Sequence, residues 1–259
     1  MHFLAPLFVK MKVLNSCVSA SLVYGCETWG MSTLKNAETA YRQGLKSALS
    51  VRDGTNNEIV YIESGERPLE IRITKQQMKF WIAIENIMNS DPNHYISKLV
   101  NVGENTEYIK YYRNLMTKYT DLKTCNDTMK NNFRSSARLK IERAAQDDSG
   151  SKLGTYLMIN PELKAPDHGR KFEFQRVMIT RYRTGSHNLR IEKDRRIPNS
   201  KREDRICMCN MDVQTVRHVI LDCPLLQDSR LKYGVSDIQS GIMNDDFLVE
   251  MESLLNIKN

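Results

Sequence analysis

A chain of 259 residues with 41% hydrophobic and 8% aromatic content can bury a real core, as one large domain or two small ones. No apolar run approaches the roughly eighteen residues of a membrane span. Phe3 to Val9 is broken by Pro6 and followed by Lys10 and Lys12, which is too short and too late in charge for a secretory leader. We therefore expect a soluble intracellular protein, nuclear or cytoplasmic, without a membrane partner.

The formal charge of +7 is unevenly spread. Residues 171–205 hold eleven Lys/Arg against five Asp/Glu, a net of +6; residues 206–259 hold four against eight, a net of −4. Such a basic block points to a polyanion partner, or alternatively to a solvated helix face rich in arginine.

Read from the N-terminus, the pattern is helical throughout. Phe8 to Tyr24 is apolar nearly all round, which predicts a helix buried in a core, ended by Gly25 and followed by a turn from Cys26 to Trp29. Thr33 to Val51 predicts a second helix, with Leu34, Ala37, Tyr41, Leu45, Ala48 and Leu49 on one face. Thr55 to Glu58 reads as a capping box, with Thr55 as the cap, opening a short helix that Gly65 closes. Pro68 suits the first position of the next helix, Leu69 to Met88, which Phe80, Trp81 and Ile84 would anchor. Asp91-Pro92 reads as cap and first residue of a brief helix to Val100.

Beyond Val102 the chain turns polar. Tyr108 to Tyr119 predicts one helix and Met129 to Ile141 another, with Asp147 to Ser151 as the clearest loop and Cys125 in the linker. The pairs Asp147-Asp148 and Asp245-Asp246 could suggest a two-metal carboxylate site. Their settings, at a helix end and a helix start, favour caps. Phe172 to Tyr182 predicts a helix carrying Arg176, Arg181 and Arg183, broken at Thr184-Gly185-Ser186-His187. His187 reads as a phosphate donor or, preferably, a local hydrogen bonder. A basic linker, Lys193 to Arg205, follows.

That linker leads into Cys207-Met208-Cys209, His218 and Cys223, three thiols and an imidazole within seventeen residues, spaced C-x-C-x8-H-x4-C. Thiolate and neutral imidazole form a complete tetrahedral set for structural zinc, Zn2+; the alternative is three scattered cysteines near a core histidine. The tight C-x-C should push Met208 outward and leave little room for amides to reach the sulfurs. Three cysteines and a histidine leave no open position for water, which argues against a zinc hydrolase. Arg181, Arg183, Arg190, Arg195, Arg196, Lys201, Arg202 and Arg205 are the candidate phosphate contacts, because guanidinium forks match phosphate oxygens.

Several stretches, in order, resemble one family. Leu22-Val23-Tyr24-Gly25-Cys26-Glu27-Thr28-Trp29 resembles the "LLYGSETW" segment that follows the palm in reverse transcriptases of non-LTR (LINE-type) retrotransposons. Glu63-Ser64-Gly65-Glu66-Arg67-Pro68-Leu69 resembles their "ELGRYPL", with Phe80-Trp81 in the helix that follows. Arg183-Thr184-Gly185-Ser186-His187-Asn188-Leu189-Arg190-Ile191-Glu192 resembles "RTGSHxLxIExGR", with Asp194 where the family usually has glycine. Arg205-Ile206-Cys207-Met208-Cys209 and Arg217-His218-Val219-Ile220-Leu221-Asp222-Cys223-Pro224 resemble the terminal "RxCxxC…EHxLLxCP" zinc segment.

The resemblance implies a mainly α chain. A helical thumb-like region would span 1–100 and a polar helical linker 101–167. A basic arm with the CCHC module would occupy 168–235, and a C-terminal helix 236–259. It implies that the catalytic palm is missing and that residues after Cys223 are too few for a restriction-like nuclease, so we expect no polymerase activity. The implied function is zinc-dependent binding of RNA or DNA backbone, with no small-molecule substrate; the alternative is a vestigial helical interaction protein whose zinc is only structural.

Overall fold

The computed structural model describes residues 5–30, 34–147, 152–167 and 172–257. Among them the chain is mainly α-helical, with a single antiparallel bridge, Ile206 with Val213, and no strand. Helix α1 (Leu7–Val13) runs through a π-helical turn (Leu14–Ser19) into α2 (Ala20–Val23), and α3 (Cys26–Trp29) follows. Next come α4 (Leu34–Leu49), α5 (Asn57–Ser64), α6 (Leu69–Ser90), α7 (Tyr95–Val102), α8 (Glu107–Lys118) and α9 (Leu122–Asp147). The last part holds α10 (Lys152–Ile159), α11 (Glu173–Arg183), α12 (Arg190–Lys193), α13 (Gln227–Tyr233), α14 (Ile238–Met243) and α15 (Asp245–Leu254). None of the described helices is long and apolar enough to cross a membrane. The predicted helix start at Thr33 and the loop at Asp148 to Ser151 lie outside the described residues.

The helix predictions hold better than the helix starts. Asn56, not Thr55, caps α5: its side-chain oxygen accepts from the amides of Glu58 at 2.9 Å and Ile59 at 3.2 Å, while Thr55 is buried. His94 caps α7 through Nδ1, accepting from Ile96 N at 3.2 Å. Asp91 instead turns the chain, accepting from Asn93 N at 2.9 Å. Acids Asp245 and Asp246 occupy the first turn of α15, as the helix dipole favours, but Asn244 is its cap. The helix that begins at Leu7 is buried along one stripe only, at Leu7, Lys10, Leu14 and Ser19; Phe8, Val9, Val13 and Val18 are exposed. The π turn adds a residue to one repeat and so carries the buried stripe from Leu14 to Ser19.

Two compact units divide the chain. Unit 1 comprises Met1–Lys12, Leu45–Glu66 and Arg138–Asn259; unit 2 comprises Val13–Gly44 and Arg67–Ala137. Unit 2 is built on an aromatic cluster. Trp81 of α6 stacks on Tyr112 of α8, with ring centroids 5.1 Å apart and planes 9° apart, while Tyr108 and Tyr111 meet Tyr112 edge-on. Of the three predicted anchors, Trp81 is buried, Ile84 packs partly buried against the cluster and Phe80 is 37% exposed, so Trp81 is the main anchor. Cys125 joins this core from inside α9, not from a linker.

The same tyrosines satisfy the end of α3. Tyr108 and Tyr112 hydroxyls donate to the Glu27 carbonyl at 3.1 and 2.7 Å; Gln77 donates to the Cys26 carbonyl at 3.2 Å and accepts from Tyr111. The Cys26 carbonyl also accepts from Gly30 N at 2.9 Å, whereas the Glu27 carbonyl is one that a four-residue helix leaves to side-chain donors. Gly30 is required there, because a Cβ would lie 2.5 Å from the Cys26 oxygen and 2.6 Å from Gln77 Nε2. Gly25, at φ 64°, makes the left-handed step into α3.

Unit 1 has an apolar core from α10, α11, α14 and α15 together with Val216, Val219, Ile220 and Leu226. Around it run buried ionic contacts. Arg183 forks onto Glu63, with Nε 3.1 Å from both carboxylate oxygens and Nη2 2.8 Å from Oε1. The two are 6% and 0% exposed, and Tyr156 adds a hydroxyl donor at 2.8 Å. Arg176 forks onto Glu173 at 2.7 and 2.9 Å, and Lys10 completes that site at 2.5 Å. Tyr182 donates to Glu252 at 3.0 Å.

Candidate metal centre and basic segment

The metal-ligand candidates sit on two local structures of unit 1. The first is a hairpin closed by the Ile206–Val213 bridge and by Gln214 N donating to Arg205 O at 2.9 Å. Within it Cys207 N donates to Asp212 O at 2.8 Å, and Asn210 N donates to Cys207 O at 2.9 Å. Asn210 takes φ 58°, a left-handed step that asparagine tolerates better than most residues. Met208 points outward, 42% exposed, as the tight C-x-C predicts.

The second structure is a π-helical turn, His218–Asp222, in which Cys223 N donates to His218 O at 2.7 Å. Five residues along an α-helix would put His218 and Cys223 about 140° apart around the axis. The wider π turn brings them back toward one side. Thr215 Oγ1 accepts from His218 N at 3.1 Å at its start, and Pro224 stops it. Arg230 donates to the Cys223 carbonyl at 2.9 Å.

These two structures converge. The ligand atoms of Cys207, Cys209, His218 and Cys223 all lie within 4.8 Å of one another, so the cluster could hold a metal ion. Cys207 and Cys223 sulfurs are 3.8 Å apart, and Cys209 sulfur is 3.2 Å from His218 Nε2. On a tetrahedral ion with bonds of about 2.0–2.3 Å such donors stand roughly 3.6–3.8 Å apart, so the set fits with small adjustment. Asp245 and Asp246 take no part in it; this is the one such cluster among the described residues.

The expected shortage of amides does not occur. Cys207 accepts from the Cys209 amide, Cys209 from those of Met211 and Asp212, and Cys223 from that of Leu225. Turns at Cys207–Asn210 and Cys223–Leu226 aim these N–H groups back at the sulfurs, so a short spacing supplies donors rather than excluding them. Burial pushes the Cys223 thiol up to about 12 and raises Cys207; at the less buried Cys209 burial is outweighed by hydrogen bonds from the Met211 and Asp212 amides and the Cys207 and Cys223 thiols together, and its pKa is lowered. Gln214, with no signal in the sequence, is a buried support: its amide approaches Cys207 Sγ at 4.0 Å and its oxygen accepts from Arg190 N at 2.8 Å.

The eight candidate phosphate contacts separate into two groups. Arg183 is buried on Glu63, and Arg205 is buried with donors to the carbonyls of Ile191 at 3.0 Å and Ser200 at 2.9 Å. Arg181 is partly buried and donates to Ser50 O at 3.1 Å. Arg190, Arg195, Arg196, Lys201 and Arg202 are exposed; of these Arg190 donates to Ile206 O at 3.1 Å. Arg195, Arg196, Lys201 and Arg202 form no ion pair with a described residue, and all stand in the segment that leads into the hairpin. His187 is buried and local, as preferred from sequence: Nδ1 accepts from Leu189 N at 3.3 Å and the ring stacks on Tyr182. Comparison with protein-family models, curated proteins and solved structures returned no match for this chain.

Proposed function

We propose that this chain is a nucleic-acid-binding module in which a structural zinc ion, held by Cys207, Cys209, His218 and Cys223, fixes a basic segment against unit 1. The observation that carries it is the adjacency of four exposed, unpaired cations to a converged Cys3His cluster. Zinc here supplies rigidity: four protein ligands close its shell, and the hairpin and π turn become one body. Arg190, Arg195, Arg196, Lys201 and Arg202 then meet phosphate oxygens on RNA or DNA, contacts that set affinity and carry no sequence preference of their own. The resemblance of the ordered motifs to the C-terminal part of non-LTR retrotransposon reverse transcriptases supports this reading, and with it a descent from such an element.

A second reading, a structural interaction protein, draws on the burial of Arg183 and Arg205. Titration of the full zinc-loaded chain with duplex separates the two. If all five cations engage, log K falls with log salt at a slope of about −4.5, and Arg195→Ala/Arg196→Ala/Arg202→Ala flattens it by roughly 2.7. A flat salt dependence, or a triple variant that binds like the parent, removes the nucleic-acid reading and leaves the structural one.

A further inference from the structure

A cavity of about 180 Å³ in unit 1 is lined by Lys152, His187, Glu192, Arg202, Thr215 and Arg217, with several apolar neighbours. Thr215 and Arg217 stand three and one residues before the ligand His218, and His187 and Glu192 belong to the Arg183 to Glu192 motif, so the cavity lies where two sequence signatures meet. It is smaller than the roughly 300–1,000 Å³ of sites that take drug-sized ligands.

Its donors are unusual for so small a space. His187 is only 3% exposed, and its Nδ1 is occupied as an acceptor from Leu189 N. The proton is therefore on Nε2, which has no partner among the described residues. Among the described residues every fully enclosed side-chain nitrogen or oxygen has a partner, so this N–H faces the cavity that His187 lines rather than packed protein. Burial, with Lys152 and Arg52 nearby, lowers the His187 pKa to about 3, which keeps the ring a neutral donor at neutral pH. Lys152 is ion-paired with Glu192 and Arg183 with Glu63, so those charges cancel. Arg202 and Arg217 are exposed and form no ion pair or side-chain hydrogen bond with a described residue, leaving two uncompensated positive charges.

We propose that this cavity takes the terminal phosphate monoester of a nucleic-acid strand, with His187 Nε2–H, Arg202 and Arg217 as its donors. A terminal phosphate carries up to two negative charges at neutral pH and matches the two arginines; an internal phosphodiester carries one and brings a nucleoside on each side into a space too small for either. The inference rests on the nucleic-acid reading above and adds a preference for strand ends.

The test uses the full zinc-loaded chain and one short single-stranded oligonucleotide in three forms: 5′-phosphorylated, 3′-phosphorylated, and hydroxyl at both ends. One phosphorylated form should bind about tenfold more tightly than the hydroxyl form, as new charge-assisted hydrogen bonds allow. Arg217→Ala should erase that difference while leaving hydroxyl-form binding in place. His187→Phe, which keeps the stack on Tyr182 but removes the donor, should do the same; if it does not fold, Arg217→Ala decides alone. Equal binding of all three forms overturns the cavity assignment with the proposed function intact. Failure of every form to bind overturns both.

Discussion

Unit 2 buries its polar groups against tyrosines, and unit 1 buries its own against charges. In unit 2 the Glu27 carbonyl takes two phenol donors and Gln77 links two further groups, all neutral. In unit 1 Arg183 forks onto the buried Glu63 and the buried Arg176 onto the partly buried Glu173, and a Cys3His cluster adds three titratable thiols. Neutral hydrogen bonds contribute about 1 kcal/mol each and can be lost singly, whereas a buried charge stripped of its partner has no cheap alternative. Unit 1 should therefore fail abruptly and unit 2 by degrees. Both tryptophans of the chain, Trp29 and Trp81, belong to unit 2, so fluorescence follows that unit alone.

The largest effect should come from the metal. Zinc binds comparable peptide sites with about 10–16 kcal/mol at neutral pH. Chelation should abolish a calorimetric transition belonging to unit 1 while the tryptophan fluorescence transition stays within a few degrees; joint loss of both would break the contrast. Cys209→Ser should lose zinc under competition by a chromogenic chelator, and unchanged zinc per chain in that variant would remove Cys209 from the ligand set.

Next in size is the buried pair. Glu63→Ala should cost about 3–5 kcal/mol in urea unfolding followed by circular dichroism, because Arg183 is left charged and enclosed. The double variant Glu63→Leu/Arg183→Met should recover most of that loss. A single variant no worse than the double would show that the charges are not the reason.

Acid should act on unit 1 through His187. Its folded pKa, lowered by burial and by Lys152 and Arg52 to about 3, lies below the ordinary value of 6.5. The unfolded chain therefore takes up a proton that the folded chain refuses. This contribution is complete above pH 6.5 and is lost as pH falls toward 3, by at most about 1.4 kcal/mol per pH unit. His187→Phe should flatten that slope in stability measured between pH 6.5 and 4.5; an unchanged slope would assign it to other groups. The smallest effect is expected for Tyr112→Phe in unit 2. Tyr108 still donates to Glu27, so the fluorescence midpoint should move by about 1 kcal/mol or less. A loss of several kcal/mol would make unit 2 as brittle as unit 1.

Much of the secondary structure was legible because helical periodicity is local. Of the predicted face Leu34, Ala37, Tyr41, Leu45, Ala48 and Leu49, all but the partly buried Leu34 are buried as the spacing predicts, and the four ligand candidates converge. Helix starts slipped by one to three residues where two capping side chains stood close together, as at Thr55 and Asn56 or Asp91 and His94. What was not legible depends on partners far along the chain. Arg183 reads as a surface cation until Glu63, 120 residues earlier, is seen beside it. The Glu63 and Arg183 motifs, each quoted for a separate resemblance, turn out to share one ion pair. Gln214 carries no pattern at all; only the hairpin gives it a thiol and an amide to bridge. The amides on the sulfurs follow from turn geometry that a C-x-C spacing does not spell out.

The interleaving of unit 1 has a consequence for biosynthesis. Glu63 leaves the ribosome 120 residues before Arg183, and the last ligand, Cys223, follows later still. No early portion of the nascent chain can close unit 1, since its carboxylate must stay hydrated until the guanidinium arrives. Unit 2 needs nothing beyond Ala137 and can form while the rest is still being made. Synthesis thus hands the cell a finished tyrosine-lined unit first and a waiting acid that its partner and a metal ion complete last.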